Sequence, residues 1–362
     1  MSTRRKIAIV GAGVIGRHHG RVISQLTDQL ELVAVVDPNA ERAQEIVDAH
    51  GGHPYASLAE ALTSTHVDIV SVCTPTGLHG ALAIAALEAD KDVIIEKPAE
   101  ITVERTDEII AAQQASGRTV TVISQHRFDP ATEVTVEAIA KGELGRLTSG
   151  IASIDWWRGQ SYYDSGDWRG TWELDGGGAL MNQGVHTVDL LVATLGKPVE
   201  VFAFTGTLAH ERIEVEDVAV GVVKFESGAL GVLHATTAAY PGMSARLQVH
   251  GDRGSVIIDS DKLSFIHRTP SESSAEERAY GESDKAINQI ADFPEASGAA
   301  LSAGADAAQL GTIAHRRQYE NFLAALDGTE QIRVDLATNR QAIAIITGVY
   351  ESARTGQPVQ LG

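Results

Sequence analysis

The chain has 362 residues, of which 43% are hydrophobic and 21% are charged. This length exceeds what one hydrophobic core usually organises, so the sequence predicts two globular domains and gives no sign of general disorder. The formal net charge of −19 opposes binding to nucleic acid or to an anionic membrane surface.

The amino-terminal sequence and the cysteine content predict a cytoplasmic protein. The single cysteine, Cys73, excludes an internal disulfide framework and fits a reducing compartment. The basic start, MSTRRK, leads directly into a strand-like run and lacks the apolar core and cleavage site of a secretory signal. No apolar run approaches the roughly 20 residues that a membrane-spanning helix needs.

Residues 1–125 alternate short β-branched runs with segments of helical periodicity. The apolar runs are KIAIV, LELVAVVD, VDIVSVC, DVIIE and TVTVIS, and the segments between them are rich in Ala, Glu, Leu and Gln. Such runs are typical of parallel strands with helices on both faces. This half therefore predicts an α/β domain of the Rossmann type with a doubly wound parallel sheet.

A glycine loop, GAGVIG, directly follows the first predicted strand and precedes a helix, as the dinucleotide fingerprint requires. Asp37 ends the second strand, where a carboxylate accepts the ribose hydroxyls of adenosine and repels a 2′-phosphate. We therefore expect NAD as the cofactor, with NADP possible because Arg42 lies about one helical turn beyond Asp37. The predicted cofactor contacts in the loop are Gly11, Gly13, Val14, Ile15 and Gly16.

A second turn, TPTGLH, lies at the same carboxyl edge of the predicted sheet, where ligands bind in open α/β folds. Cys73, which ends the preceding strand, is interpreted as a structural thiol. His18 and His19, in the helix after the glycine loop, are interpreted as packing or solvated histidines. The cofactor contacts expected from the turn are Thr74, Pro75 and His79.

The strand VIIEKP ends in Glu96, Lys97 and Pro98 at this edge. Pro98 excludes helical geometry at Lys97 and leaves the peptide bond between them able to be cis. A surface salt bridge between Glu96 and Lys97 is disfavoured, because adjacent strand residues point to opposite faces. We expect both to contact the cofactor, with the ammonium of Lys97 directed into the crevice.

Residues 126–362 predict a second, α+β domain. A helix is predicted over Pro130–Lys141, followed by long alternating segments with turn signals at FESG and GDRG. These segments predict a large open, mainly antiparallel sheet, whose uncovered face is a candidate interface of a homodimer or homotetramer. A long loop with short helices, mobile or lying over the site, is expected over 269–309, and helices at about 311–326 and 336–354.

The segment GGGALMNQGVHTVDLL, residues 176–191, places three glycines before a helical pattern. On an α-helix, Asn182, His186 and Asp189 fall at i, i+4 and i+7 and form one polar stripe. The glycines remove side chains, so that another group can approach closely. We interpret Asp189 as structural support. The apolar stripe that anchors the helix consists of Met181, Val185, Val188 and Val192.

GAGVIG, TPTGLH, EKP and GGGALMNQGVHTVDLL, in this order and spacing, resemble the Gfo/Idh/MocA family, the glucose-fructose oxidoreductase and inositol dehydrogenase group. The resemblance covers essentially the full chain and implies an NAD(P)-dependent oxidoreductase acting on a secondary hydroxyl or ketone of a sugar, cyclitol or related polyol. It also implies that Lys97 contacts substrate and nicotinamide ribose, that His186 works at the reacting hydroxyl, and that a Trp168–Arg169 pair lies near the nicotinamide. Many members carry aspartate at the position of Asn182, so the resemblance leaves a Lys97–His186 pair here.

Oxidation of a secondary alcohol requires a group that takes up the hydroxyl proton. An imidazole, with an unperturbed pKa of about 6.5, suits this role, so we expect His186 to be the general base. Lys97 would stabilise the alkoxide or pass the proton on. Asn182 cannot ionise and would position the substrate through its two donors and one acceptor.

The segment WWRGQSYYDSGDWRGTW, residues 156–172, holds all four tryptophans of the chain. Aromatic faces stack on sugar rings and guanidinium groups hold hydroxyl or carboxyl groups, so substrate contacts are expected here. Core packing is the alternative for each aromatic residue. Tyr163 and Arg127, which follows the last parallel strand, complete the predicted substrate contacts.

Two other functions stay open. Some members of this fold hold NAD tightly and oxidise a sugar transiently during hydrolysis or elimination, and net turnover without added NAD would identify such an enzyme. A non-catalytic cofactor sensor is disfavoured by the presence of both Lys97 and His186. The expected partner is a small sugar or polyol, with no metal, no nucleic acid and no membrane.

Overall fold

The computed structural model describes residues 4–269, 287–298 and 311–362. The chain divides into two compact units, each assembled from separated segments. Unit 1 comprises Met1–Gln125, Gly166–Gly177 and Ala305–Ile343, and unit 2 comprises His126–Ser165, Gly178–Gly304 and Ala344–Gly362. Two segments beyond Gln125 therefore belong to the unit that contains the glycine loop.

Among the described residues, the helices predicted at 130–141, 311–326 and 336–354 are present, whereas the helix at Gln160–Tyr163 is not predicted. In chain order they are α1 (Val14–Ile23), α2 (Ala40–His50), α3 (Leu58–Ser64), α4 (His79–Glu88), α5 (Val103–Ser116), α6 (Pro130–Ala140), α7 (Gln160–Tyr163), α8 (Val185–Leu195), α9 (Pro294–Ser297), α10 (Ile313–Leu326) and α11 (Leu336–Thr355). Side-chain caps define three of the starts, because Asn39, Ser57 and Thr102 accept the free N–H groups of α2, α3 and α5.

Unit 1 is built on a parallel sheet. Its strands are β1 (Arg5–Val10), β2 (Leu30–Val36), β3 (His53–Tyr55), β4 (Ile69–Val72), β5 (Asp92–Ile95) and β6 (Val120–Val122). The spatial order is β3-β2-β1-β4-β5-β6, and every pairing is parallel. The predicted Rossmann fold is confirmed. The edge strand β3, sequence HPY, has no apolar run and is not predicted.

Both faces of this sheet are buried. Ile7 and Ile9 of β1 pack in one apolar cluster with residues of α1 and α10, whereas Ala8 and Val10 pack in another with residues of α4 and α5. Because successive side chains of a strand point to opposite faces, a strand covered on both sides has to be apolar at every position. This explains the continuous apolar runs of the first 125 residues.

Unit 2 contains a large mixed sheet. Its strands are β7 (Leu147–Asp155), β8 (Pro198–Gly206), β9 (Val218–Phe225), β10 (Leu230–Thr236), β11 (Ala245–Gly251), β12 (Ser255–Asp259), β13 (Lys262–His267) and β14 (Val359–Gln360). The order is β13-β12-β11-β7-β10-β9-β8-β14. The predicted mainly antiparallel sheet is confirmed, but β7 lies between β10 and β11 and pairs with β10 in parallel, so the strands do not form a simple meander.

One face of this sheet is covered and the other is exposed. Glycines of β7 and β10, Gly150 and Gly231, leave room for the side chain of Leu191 on α8, which packs on the covered face. On the opposite face, Phe204, Val222 and Leu230 are 67%, 53% and 59% exposed. The alternation of strand residues thus gives one apolar face to the core and a second apolar face to the surface.

The loop predicted over 269–309 is described only in part. Residues 287–298 contain a short 3₁₀ turn, Ile290–Asp292, and the helix α9. Residues 270–286 and 299–310 lie outside the described residues. Among the helices of the described part, none combines the length and the apolarity that crossing a bilayer requires.

Candidate active-site residues

The glycine loop, residues Gly11–Gly16, connects β1 to α1. Gly11 has a φ of +100°, and a Cβ there would overlap the backbone of Cys73. A Cβ at Gly16 would overlap the carbonyl oxygen of Gly11, so this glycine lets α1 start against the loop. At Gly13 a Cβ would meet no atom of the described residues within 4 Å. The space at Gly13 is therefore open to a ligand, and the N-terminus of α1 lies beside it.

The next two residues of the loop differ in burial: Val14 is exposed and Ile15 is half-buried. Asp37 fixes the loop from the end of β2. Its Oδ2 accepts the N–H of Ala12 at 2.8 Å, and its Oδ1 accepts the N–H of Asn39, also at 2.8 Å. Each carboxylate oxygen keeps acceptor capacity for a ribose hydroxyl. Arg42 is exposed at the start of α2.

His79 connects the TPTGLH turn to the EKP turn. Its Nδ1 contacts the carbonyl oxygen of Pro98 and its Nε2 that of Thr74, both at 2.8 Å. Burial lowers the pKa of His79. Both ring nitrogens are occupied inside unit 1, so the structure corrects the expected cofactor contact to a link between two turns.

Thr74 and Pro75 stand at the carboxyl edge of the parallel sheet, each half-buried. The hydroxyl oxygen of Thr74 is buried and has no hydrogen-bond partner in the described chain. A buried hydroxyl of this kind fits a ligand that supplies the missing bond. With the open space at Gly13, it makes this edge of unit 1 suited to a dinucleotide.

The cofactor contact expected of Glu96 is also corrected, because its carboxylate is buried and does not line an open site. Its Oε1 binds the Nε2 of His19 at 2.8 Å, and its Oε2 accepts the N–H of Lys97 at 3.0 Å. Burial disfavours the charged carboxylate, but hydrogen bonds from His19 and His315 hold the pKa of Glu96 well below its ordinary value. Lys97 is half-buried, and its peptide bond to Pro98 is cis.

His19 belongs to the same buried network, which the sequence does not reveal. Its Nδ1 lies 2.7 Å from the hydroxyl of Tyr319 and 3.0 Å from that of Ser71. Three metal-ligating side chains, His19, Glu96 and His315, meet there, and a second such group is formed by His126, Asp129 and Asp261. In both groups hydrogen bonds already join an imidazole to a carboxylate.

Trp168 and Arg169 lie in the segment that returns to unit 1. The guanidinium of Arg169 stacks on the indole of Trp168, with its carbon 4.4 Å from the ring centroid. The N–H of Gly77, in the TPTGLH turn, donates to the carbonyl of Leu174 at 2.9 Å. This bond fixes the segment to the turn beside Thr74, which supports the expectation that Trp168 and Arg169 contact the cofactor.

Two of the three glycines at 176–178 are required by the packing of the chain itself. A Cβ at Gly176, whose φ is +76°, would overlap Ile101, and one at Gly178 would overlap the carbonyl oxygen of Glu216. The groups that approach closely at Gly176 and Gly178 are therefore parts of the protein itself.

The helix after these glycines is not α-helical throughout. Residues Ala179–Gly184 form a π-helix, and α8 begins at Val185. The α-helical pattern behind the predicted polar stripe is interrupted at Asn182, because a π-turn holds more residues than an α-turn. The side chains of Asn182 and His186 are both half-buried. The apolar residues of the segment are buried as predicted: Met181, Val185, Val188 and Val192.

Asp189 and Arg127 form a buried ion pair inside unit 2. The Nε and Nη2 of Arg127 donate to the two carboxylate oxygens at 2.7 and 2.6 Å. This bidentate geometry fits the interpretation of Asp189 as structural support. The pair uses Nε and Nη2 of Arg127, and a contact of the remaining N–H groups with substrate stays a prediction.

His126 is a neighbour of His186 that the sequence does not indicate. The two rings are 5.0 Å apart between centroids and meet edge to face. The Nδ1 of His126 lies 2.8 Å from Asp129 and 3.0 Å from Asp261. Burial lowers the pKa of His126, but Asp261 and Asp129 outweigh it and raise that pKa well above its ordinary value. The two aspartates thus favour the charged form of His126 beside His186.

The aromatic segment of unit 2 divides into core and surface. Tyr163 is only 5% exposed and its hydroxyl bonds that of Thr237 at 2.7 Å, so the structure corrects the expected substrate contact to core packing. Arg158 stacks on Trp156 and Tyr162 at 5.1 and 5.4 Å. The indole N–H of Trp156 is buried without an acceptor in the described residues, which suits it to a ligand oxygen.

Comparison with known proteins agrees with this geometry. Residues 5–124 match the family model of the oxidoreductases with an NAD-binding Rossmann fold, and residues 134–257 match the GFO/IDH/MocA C-terminal domain. The chain is 30% identical over 234 residues to the 1,5-anhydro-D-fructose reductase of Ensifer adhaerens, covering 63% of this chain and 68% of that protein. It is 28% identical over 268 residues to the myo-inositol 2-dehydrogenase of Thermotoga maritima, covering 70% and 75%.

A solved structure extends the similarity to the full length. The WlbA dehydrogenase from Chromobacterium violaceum, solved in complex with NADH and UDP-GlcNAcA, is 30% identical, with a TM-score of 0.85 over 100% of this chain and 97% of that one. Fold, glycine loop and relatives together define an NAD-binding oxidoreductase. The chain belongs to the Gfo/Idh/MocA family.

Proposed function

We propose that this protein is an NAD-dependent dehydrogenase or reductase that transfers a hydride between nicotinamide and a secondary hydroxyl or ketone of a sugar or cyclitol. The observation that carries the proposal is a glycine loop with space for NAD at Gly13. In the second unit, His186 follows closely after a π-helix. π-helical turns are frequent at functional sites. Relatives named for myo-inositol and 1,5-anhydro-D-fructose support the substrate class.

The residues of the chain supply binding and proton transfer. Bound NAD would accept the hydride that leaves the substrate carbon. The imidazole of His186, whose ring meets that of His126 edge to face, takes the hydroxyl proton as the general base. The ammonium of Lys97 stabilises the alkoxide oxygen or passes the proton on. The amide of Asn182 positions a hydroxyl of the substrate.

The half-buried aromatic residues of unit 2 are the proposed substrate-binding residues. Trp156 offers a buried indole N–H, and the stacked ring of Tyr162 offers an aromatic face. Sugar rings bind to such faces through their apolar C–H groups, while N–H groups orient their hydroxyls.

The test is a turnover assay with NAD or NADH on four compounds. Three are named for the relatives, myo-inositol, 1,5-anhydro-D-fructose and UDP-GlcNAcA, and the fourth is a simple sugar derivative, a methyl D-glucoside. We expect turnover of at least one of them. Lys97→Ala and His186→Ala should each lower kcat by at least about 100-fold, because each removes a group that acts on the reacting oxygen. Binding of NADH, followed by its fluorescence, should persist in His186→Ala.

Near-normal turnover in both variants would disprove the assigned roles. Net conversion of a glucoside without added NAD would identify the enzyme as one that oxidises its sugar only transiently. NADH binding without turnover of any of the four compounds would favour a cofactor sensor.

For the quaternary structure, we propose that a second copy of the chain covers the exposed face of the eight-stranded sheet. Apolar side chains stand opposite one another across β8, β9 and β10, with Phe202 beside Val222 and Val222 beside Val232. A face this apolar suits an isologous interface, in which the same patch meets itself. Val222→Glu should shift the molecular mass measured by light scattering to that of a monomer, and an unchanged mass would contradict the proposal.

The cytoplasmic location expected from the sequence is kept as a proposal. It is supported by the single cysteine, Cys73, which is a buried free thiol.

A further inference from the structure

The start of the segment that carries Asn182 and His186 is held by a residue from a different part of unit 2. Glu216 lies just before β9, and its side chain is buried. Its Oε2 accepts the N–H of Gly178 and its Oε1 the N–H of Leu180, each at 2.8 Å. Its own backbone carbonyl accepts the N–H of Ala179 at 3.0 Å. Three successive N–H groups at the start of the π-helix therefore end on one residue.

These contacts replace the cap that a helix usually receives from the side chain of the residue at its own start. The first N–H groups of a helix have no partner within it and need an acceptor. Gly178, in the cap position, has no side chain to offer, and a Cβ there would overlap the carbonyl of Glu216. The absence of a side chain at Gly178 is thus what admits Glu216 as the cap.

We propose that Glu216 is a positioning residue for the reaction: its carboxylate and carbonyl fix the π-helix and thereby the places of Asn182 and His186. This inference rests on the proposed function, because it is through those two residues that Glu216 would act. A displacement of about 1 Å of a reacting group can cost up to about 100-fold in rate, so the fixing of this segment matters for turnover.

The surroundings of Glu216 make the cap sensitive to pH. Burial raises the pKa of Glu216 to about 7, although the N–H groups of Leu180 and Gly178 and the hydroxyl of Tyr350, 3.2 Å from Oε1, oppose the rise. The closed cap therefore binds a proton more tightly than an open one would. By linkage, the contribution of Glu216 to the stability of the closed cap is fully present below its ordinary pKa of 4.5. This contribution is lost as pH rises through 7.

The other titratable groups around the π-helix are engaged with partners of their own. Strands β7, β9 and β10 and helix α8 pack against it. Asp155 and His234 pair across β7 and β10 at 2.6 Å, and His210 pairs with Asp217 before β9 at 2.9 Å. The remaining titratable groups on these elements are Lys224, His186 and Asp189, which pairs with Arg127. From α11, the hydroxyl of Tyr350 donates to Glu216.

The test compares three variants by amide hydrogen exchange of the peptide that spans residues 178–186. In the unsubstituted protein, protection should fall about tenfold between pH 6 and pH 8, after correction for intrinsic exchange, as the buried carboxylate ionises. Glu216→Gln, which is neutral at every pH, should show no such change. Glu216→Ala should be unprotected throughout. Glu226→Ala, an exposed glutamate on the β9–β10 hairpin, is the matched control and should behave as the unsubstituted protein.

Turnover gives the second readout, with whichever of the four compounds is converted. Glu216→Ala should lower kcat about tenfold and leave the KM for NAD unchanged. Glu216→Gln keeps one of the two acceptor oxygens, so it should restore part of kcat and extend activity above pH 7. If Glu216→Ala does not fold, Tyr350→Phe serves instead: loss of its hydrogen bond should move the fall in protection to higher pH.

The two proposals fail separately. Protection that does not depend on pH in the unsubstituted protein, together with normal kcat in Glu216→Ala, would overturn the role of Glu216 even if His186→Ala is inactive. Conversely, the exchange result can hold even if His186→Ala retains full turnover, in which case only the proposed function fails.

Discussion

The glycine loop at Gly11–Gly16 and the triple glycine at Gly176–Gly178 both stand before a helix, but different groups occupy the space beside them. In the triple glycine, the spaces beside Gly176 and Gly178 are occupied by Ile101 and Glu216 of the same chain. In the glycine loop, Gly11 and Gly16 are likewise required by the backbone, whereas Gly13 faces open space. A glycine before a helix therefore indicates a ligand only where the chain leaves the space empty.

The comparison also shows two ways of satisfying the free N–H groups at the start of a helix. At the triple glycine, Glu216 accepts them from within the protein. Gly13 provides no side-chain cap for α1, and the positive end of that helix dipole suits the pyrophosphate of a dinucleotide. One helix start is closed by a carboxylate of the protein, and the other fits an anionic ligand.

The largest expected effect comes from adding a side chain at Gly178, where the protein already occupies the space. Gly178→Ala places a methyl group on the carbonyl of Glu216, so the backbone has to move and the cap is lost. We expect a loss of about 3 kcal/mol in the free energy of unfolding, the upper part of the range for overpacking. Urea denaturation followed by circular dichroism measures it. A loss below 0.5 kcal/mol, about the level of a surface substitution, would show that the segment adapts.

Gly13→Ala is the matched substitution at the open site. The backbone of Gly13 is extended, and a Cβ there would meet no atom of the described residues within 4 Å. The free energy of unfolding should therefore change by no more than about 1 kcal/mol, the usual difference between glycine and alanine as caps. The affinity for NADH, measured by fluorescence titration, should fall at least about tenfold, because the methyl group occupies the place of the pyrophosphate. Unchanged NADH affinity would mean that the loop does not hold the cofactor there.

The sequence predicts the parts of the structure that depend on neighbouring residues. Five strands of the Rossmann sheet follow from apolar runs, and the roles of Gly11 and Gly16 follow from one motif. What it does not predict depends on residues far apart in the chain. Glu216 caps a segment almost 40 residues earlier, Arg127 pairs with Asp189, and His19 meets Tyr319 across 300 positions. The π-helix is missed because the α-helical period describes its apolar positions equally well.

The smallest expected effect concerns the choice between the two nicotinamide dinucleotides at the open site. Asp37 holds the loop through Ala12 and, by the fingerprint, also accepts ribose hydroxyls. Asp37→Ala should weaken binding of both cofactors by loosening the loop, so the informative quantity is the ratio of their kcat/KM values, in which this common loss cancels. Loss of charged hydrogen bonds to the ribose, about 1.5 kcal/mol or more, together with loss of the repulsion of a 2′-phosphate, should lower the preference for NAD over NADP about tenfold.

Asn39→Ala, which removes a cap of α2 but no charge, is the control and should leave the ratio unchanged. A constant ratio in Asp37→Ala would restrict Asp37 to holding the loop, and the discrimination would then have to come from another residue near the ribose.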